Sequence, residues 1–174
     1  MSDCHSRRVS RKSSAVLAIL APGQGAQTPG FLTPWLTDEA VRAQLQALSD
    51  VAGIDLARYG TEADADTIKQ TDIAQPLLVA AGIVAAQQLL APDVQPDVVA
   101  GHSVGEITAA AITGVLSPAD AMTFVATRGR GMAQASAVRP TSMMAVVGGN
   151  ADEVLAAIEA AGLTAANNNG PGQI

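Results

Sequence analysis

The stretch Asp97-Val98-Val99-Ala100-Gly101-His102-Ser103-Val104-Gly105-Glu106-Ile107-Thr108-Ala109-Ala110-Ala111-Ile112 decides the reading of this chain. Its centre, Gly101 to Gly105, is a G-x-S-x-G pentapeptide. The left flank predicts a short buried strand and the right flank the start of a helix. A strand, a sharp turn at a serine and a helix together make a nucleophile elbow. The glycines remove the Cβ atoms that would clash on either side of the serine. Such a turn lifts the Ser103 hydroxyl above the sheet edge and sets it at a helix N-terminus. Unpaired N–H groups and the helix dipole there favour negative charge on a reacting oxygen. Without those flanks the pentapeptide would be a glycine-rich turn with an incidental serine.

Working outward, composition narrows the possibilities. The chain has 174 residues, of which 48% are apolar and only 2% aromatic, so its core is built from alanine and aliphatic side chains. Charged residues make up 15%, which argues against a disordered chain. The net charge is −6 and nothing supplies a basic stripe, which excludes a nucleic-acid partner. The single cysteine, Cys4, allows neither a disulfide framework nor a cysteine metal site, and no metal is expected. That cysteine usage fits the cytoplasm. No apolar run approaches the length of a membrane span; the longest, Leu77 to Ala86, is followed by Gln87-Gln88, so no membrane partner is expected. Arg7, Arg8, Arg11 and Lys12 before the apolar run 15–21 have the layout of a signal peptide, but no convincing cleavage site follows. Residues 1–14 are read as a flexible tail and 15–21 as a first buried strand.

A Gly/Pro loop at 22–30 follows that strand, and periodicity through Val41, Leu45 and Leu48 predicts a helix over 37–50. Residues 53–70 read as short helices. A long apolar helix runs from about Ile73 to Leu90, with Pro76 tolerated in a first turn and Pro92 and Pro96 ending it. The elbow helix reaches about Thr113, with Gly114 as its stop. Ser117-Pro118-Ala119-Asp120 is a strong helix start, and that helix runs to about Ala137. After the linker Arg139-Pro140-Thr141, a strand is predicted at 142–147, a helix at 151–161 closed by Gly162, and a strand at 163–167. These last elements form a βαβ-like unit with its own small core. The alternation of strands and helices makes the fold α/β.

Serine is a poor nucleophile without a base to take its proton. The two histidines are His5, in the tail, and His102, beside Ser103. Adjacent residues at such a turn project in different directions, so His102 is read as a loop histidine that steadies the elbow. The chain thus supplies a nucleophile and no credible general base. Gly23-Gln24-Gly25-Ala26-Gln27 follows the first strand, on the rim where parallel sheets bind ligands, and Gln24 could aim an amide at an oxyanion; an ordinary turn is the plainer alternative. Arg128 lies deep within a helix expected to pack on the sheet. An arginine so placed wants an anionic partner, and its planar fork suits a carboxylate. Arg130 reads as a surface charge, and Asn167 to Gly170 as a polar turn.

Together these residues resemble a family. Gly23-Gln24-Gly25-Ala26-Gln27, Gln75-Pro76, Gly101-His102-Ser103-Val104-Gly105-Glu106, Arg128-Gly129 and Asn167-x-Asn169-x-Pro171-Gly172-Gln173 occur in the order and spacing of malonyl-CoA:acyl-carrier-protein transacylases. The resemblance runs from about residue 15 to 174. It looks closest to the bacterial fatty-acid enzyme, with polyketide-synthase acyltransferase domains next. It implies an α/β-hydrolase-like parallel sheet core at 15–138 and the start of a small ferredoxin-like subdomain at 139–174. It implies Ser103 as the acylated nucleophile, Val104 and Gln24 as the oxyanion hole, Arg128 on the malonyl carboxylate, and Asn169 near the site. Malonyl-CoA would be a substrate, acyl carrier protein the partner, and no cofactor would be bound. Carrier proteins of this kind are typically acidic, so docking onto an acidic chain would need a local basic patch.

The family's catalytic histidine would fall beyond Ile174, so the sequence reads as truncated, and the chain alone is expected to transfer poorly. A serine esterase or thioesterase shares the elbow but needs an acid and a histidine after the serine, and needs neither the Gly23–Gln27 loop nor Arg128. An inactive fragment that only binds coenzyme A or carrier protein is the non-enzymatic alternative.

Overall fold

Thr71 to Leu89 form α3, the helix around which the larger part of the chain packs. The computed structural model describes residues 16–90, 94–139, 141–170 and 172–174. The predicted tail at 1–14, Ala15, and the prolines at 92 and 140 lie outside them. By Cα clustering the chain divides into two units, one ending at Ala137 and the other running from Val138 to Ile174.

In the first unit, α3 is met by α1 (Glu39–Ala52), α2 (Leu56–Thr61), α4 (Gly105–Ile112) and α5 (Pro118–Ala137). It is apolar almost all round, as a helix surrounded by others must be. Leu77, Val79, Ala80, Ile83 and Val84 are buried with Leu45, Leu56, Met122 and Val125. By length and composition α3 could cross a membrane, contrary to the expectation that no run approaches that length; in the fold most of it is buried by protein. It also starts earlier than predicted. Pro76 is therefore the sixth helical residue rather than part of the first turn. There its missing N–H leaves a gap in the backbone ladder.

Side-chain caps start these helices. Asp38 is the N-cap of α1, its carboxylate accepting from the N–H of Ala40 and Val41 at 2.7 and 3.3 Å. Ser117 Oγ accepts from Asp120 N at 3.0 Å before α5. The Asp64 carboxyl is held below the usual carboxylate range by hydrogen bonds from the Thr67 backbone and side chain, before the 3-10 turn Thr67–Lys69.

β1 (Ala18–Ala21) and β2 (Val98–Gly101) pair in parallel, with Ala18 opposite Val98 and Ala21 opposite Gly101. The chain is thus an α/β fold with a small parallel sheet. The expectation of buried strands is only half met. α4 contacts both strands, but Ala18, Leu20, Val98 and Ala100 are exposed. Alternation sends every second side chain to a face that no described element covers. α5 was expected on the sheet; it packs on α3, α1 and α4 instead.

The second unit holds α6 (Ala151–Ala160), N-capped by Asn150 and followed by Gly162 at φ 68°. The predicted strands at 142–147 and 163–167 are absent. In their place Val147 makes one antiparallel bridge to Gln173, flanked by Val146 N to Ile174 O at 2.8 Å and Gly148 N to Gly172 O at 2.8 Å. None of its described residues is buried, so the expected small core is not formed among them. A strand exists only through its neighbours, and here one bridge at Val147 is too short a pairing to make one.

Leu77 is fully buried, whereas Leu20 is 76% exposed. Leu77→Ala is therefore expected to cost about 2–5 kcal/mol of unfolding free energy, and Leu20→Ala less than about 0.5 kcal/mol. Urea denaturation of both variants checks this; equal losses would mean that the Leu20 face is covered in solution.

Candidate active site

Ser103 has φ 53° and is the only non-glycine residue at positive φ among those described. A side chain in this region is strained, and such strain collects at functional turns. Glycines make the turn possible. A Cβ on Gly101 would stand 2.2 Å from the Gly105 carbonyl, and one on Gly105 would stand 2.3 Å from the Ala21 oxygen. The elbow therefore folds onto itself and onto the end of β1. His102 N donates to Ala21 O at 3.0 Å, and Glu106 N to Ser103 O at 3.0 Å, closing the turn into α4. Ser103 is exposed while Val104 behind it is buried.

The first loop lies against this turn. A Cβ on Gly23 would stand 2.6 Å from His102 Nδ1, so the imidazole fills the space beside that glycine. No hydrogen bond joins His102 to Ser103 among the described residues. The backbone N–H groups of Gln24 and Val104 likewise have no acceptor among the described residues. The side chain of Gln24 is engaged on the α3 side of the loop. Its Nε2 donates to Lys69 O at 3.3 Å and Thr71 Oγ1 at 3.4 Å, and its Oε1 accepts from Gln75 at 3.4 Å.

Arg128, half-buried on α5, reaches Ser103: its Nη2 lies 3.4 Å from Ser103 Oγ. Its Nη1 donates to Gln75 Oε1 at 2.6 Å. Arg128 makes no ion pair among the described residues, the one salt bridge there being Lys69 to Asp66. Gly129, beside it, lets α5 approach α3, since a Cβ would stand 3.1 Å from Thr71 O. Arg130 is exposed, and its Nη1 lies 3.5 Å from Ala52 O at the end of α1, where a cation is favoured.

Gln75 had no assigned role in the sequence reading. Yet it is 1% exposed and stands between Gln24 and Arg128. The signal was a lone amide in the apolar run Ile73 to Val84. Asn169 belongs to the second unit. There the Asn168 side chain accepts from Gly170 N at 3.2 Å, as in a polar turn. Among the described residues no group of His, Cys, Asp or Glu is arranged to hold a metal. A cleft of about 390 Å3 lies at the other end of α3 and α4, lined by Ile83, Leu90, Ala111 and Ile112 among others, and contains none of these groups.

The arrangement is that of a serine presented for attack on a carbonyl, beside a cation with free N–H groups. Comparison with known proteins places the chain in a family. The family described as "Acyl transferase domain" matches residues 19–174. A malonyl CoA-acyl carrier protein transacylase of Mycobacterium tuberculosis (strain ATCC 25618 / H37Rv) is 49% identical over 162 residues, 91% of this chain and 54% of that protein. One from Haemophilus influenzae is 33% identical over 90% of this chain and 53% of its own length. The crystal structure of MCAT from Mycobacterium tuberculosis superposes with a TM-score of 0.82 at 50% identity, covering 92% of this chain and 54% of that one. A malonyl-CoA:acyl carrier protein transacylase from Xanthomonas oryzae pv. oryzae gives 0.79 at 34% identity, covering 94% and 54%. The chain spans about half the length of the curated relatives it matches.

If the elbow stores strain at Ser103, then Ser103→Gly is expected to be more stable than Ser103→Ala by about 1 kcal/mol, the usual cost of a left-handed non-glycine residue. Paired thermal and urea unfolding curves measure the difference. Equal stability of the two variants would mean that the backbone at 103 is relaxed.

Proposed function

The chain belongs to the acyl transferase domain family, and on that premise we propose that it carries the acyl-transfer half-site for moving a malonyl group from coenzyme A to the phosphopantetheine thiol of acyl carrier protein in fatty-acid synthesis. The observation that carries this reading is the 3.4 Å approach of the Arg128 guanidinium to Ser103 Oγ at the strained turn. Ser103 is read as the nucleophile. Its oxygen attacks the thioester carbon as its proton passes to a base, and the tetrahedral intermediate expels the coenzyme A thiolate, which takes up a proton. The carrier-protein thiol then attacks the seryl ester by the same steps in reverse, regenerating Ser103.

The backbone N–H groups of Val104 and Gln24 are the proposed oxyanion donors, preorganised because neither has another acceptor among the described residues. Arg128 is read as the group that holds the malonyl carboxylate. A neutral acetyl group would leave its charge desolvated and unmatched, which sets the acyl preference. Asn169 is assigned to the acyl site through the family motif alone. The sheet is read as the start of an α/β-hydrolase-like core and the second unit as part of a ferredoxin-like subdomain. The chemistry needs no bound cofactor or metal, no nucleic-acid or membrane partner is invoked, and the cytoplasm suits it. A polyketide carrier protein as acceptor is supported by one structural relative, a malonyl-transacylase solved with a type II PKS acyl-carrier protein, at 27% identity and a TM-score of 0.78.

No side chain among the described residues is placed to take the Ser103 proton, and general-base help is worth about 10²–10⁴ in rate. Prolonged incubation of the 174-residue chain with labelled malonyl-CoA is therefore expected to give slow labelling confined to Ser103 and absent from Ser103→Ala, read by peptide mapping. Label on Cys4 or another serine would overturn the assignment. Arg128→Ala is expected to weaken malonyl-CoA binding about tenfold or more, the scale of a charge-assisted pair, and acetyl-CoA binding much less. Equal losses would make Arg128 a structural residue.

A further inference from the structure

We infer that Gln75 is a positioning residue that sets acyl specificity by holding the Arg128 guanidinium in place without neutralising it. The inference rests on the proposed function and extends it from Arg128 to the residue behind it. A guanidinium has donors only, so the atom of Gln75 that meets Arg128 Nη1 at 2.6 Å must be the carbonyl oxygen. That choice turns the Gln75 amide nitrogen toward Gln24 Oε1, at 3.4 Å, with Met132 Sδ at 3.2 Å. Gln24 in turn donates to Lys69 O and Thr71 Oγ1. Every hydrogen bond in the chain from Arg128 to Thr71 thus points the same way, and no member can flip without breaking a neighbour. Gln75 is buried at 1% exposure on the central helix α3, so it is a rigid support for a long, half-buried side chain.

The identity of the support matters as much as its position. A carboxylate at 75 would hold Arg128 equally well and would also cancel its charge. An apolar residue would leave the charge intact and the fork unheld. A neutral amide does both jobs: it orients Nη1 and leaves the full positive charge for an incoming carboxylate. Two of the five guanidinium N–H groups are engaged, by Gln75 and Ser103, which leaves three for a substrate.

Two variants separate these roles: Gln75→Met, close in volume and lacking an acceptor, and Gln75→Glu, which keeps the acceptor and adds charge. The first readout is the NMR signals of the Arg128 Nη–H groups, which stay distinct while a hydrogen bond hinders rotation of the guanidinium. Distinct signals are expected in the unchanged chain and in Gln75→Glu, and merged signals in Gln75→Met. Distinct signals in a folded Gln75→Met would overturn the positioning role. The second readout is the ratio of malonyl-CoA to acetyl-CoA affinity, expected to fall about tenfold in both variants. An undiminished ratio in Gln75→Glu would overturn the argument from neutrality. Equal affinity of the unchanged chain for both thioesters would overturn the proposed function and the specificity role together, while the Arg128 signals would still decide whether Gln75 positions the guanidinium.

Discussion

The backbone contact between the elbow and the end of β1 is the constraint on which the site depends. Gly105 lies so near the Ala21 and Pro22 oxygens that a Cβ would stand 2.3 and 2.7 Å from them. Gly101 has the same relation to Gly105 itself. With the turn packed this tightly, Ser103 has no room to relax from φ 53°, and its hydroxyl is presented outward at the start of α4. The same contact brings the loop after β1 to the elbow, so the N–H groups of Gln24 and Val104 belong to adjoining segments. Strain at one residue is thus maintained by close packing of backbones that carry no side chains at the contact.

The second constraint is electrostatic. Arg128 is a half-buried cation whose described partners, Gln75 and Ser103, are neutral. Partial burial without a carboxylate carries a desolvation cost, which a bound anion would offset. The low aromatic content of the chain bears on how this is achieved. Alanine and glycine on α3, α4 and α5 allow close helix approach, as Gly82 on α3 does against Thr108 on α4, and Gly129 on α5 against Thr71. Close approach lets a glutamine on α3 touch an arginine on α5.

The sheet of the first unit and the helix of the second are each less well covered than α3. Parallel sheets are ordinarily covered on both faces. Here α4 contacts the strands while Ala18, Leu20, Val98 and Ala100 remain exposed. In the second unit, α6 is well capped by Asn150 yet buries none of its residues. Local caps start a helix; burial of an apolar face is what supplies most of its stability.

The sequence by itself determined what is local. The strand-turn-helix around Ser103, the N-cap at Ser117, the stops at Gly114 and Gly162 and the five helices of the first unit were legible because caps, glycines and 3.6-residue periodicity act over a few residues. The motif order around Gln24, Ser103 and Arg128 was legible too, and it led to the family. The tertiary structure alone decided what acts between distant segments. It moved Pro76 inside α3, reduced the predicted strands at 142–147 and 163–167 to a single bridge at Val147, exposed one face of β1 and β2, joined the Gln24 amide to Lys69 and Thr71 and placed Gln75 against Arg128 across 53 residues of chain. A hydrogen bond between two helices depends on where both helices pack, and neither helix's own sequence contains the other's position.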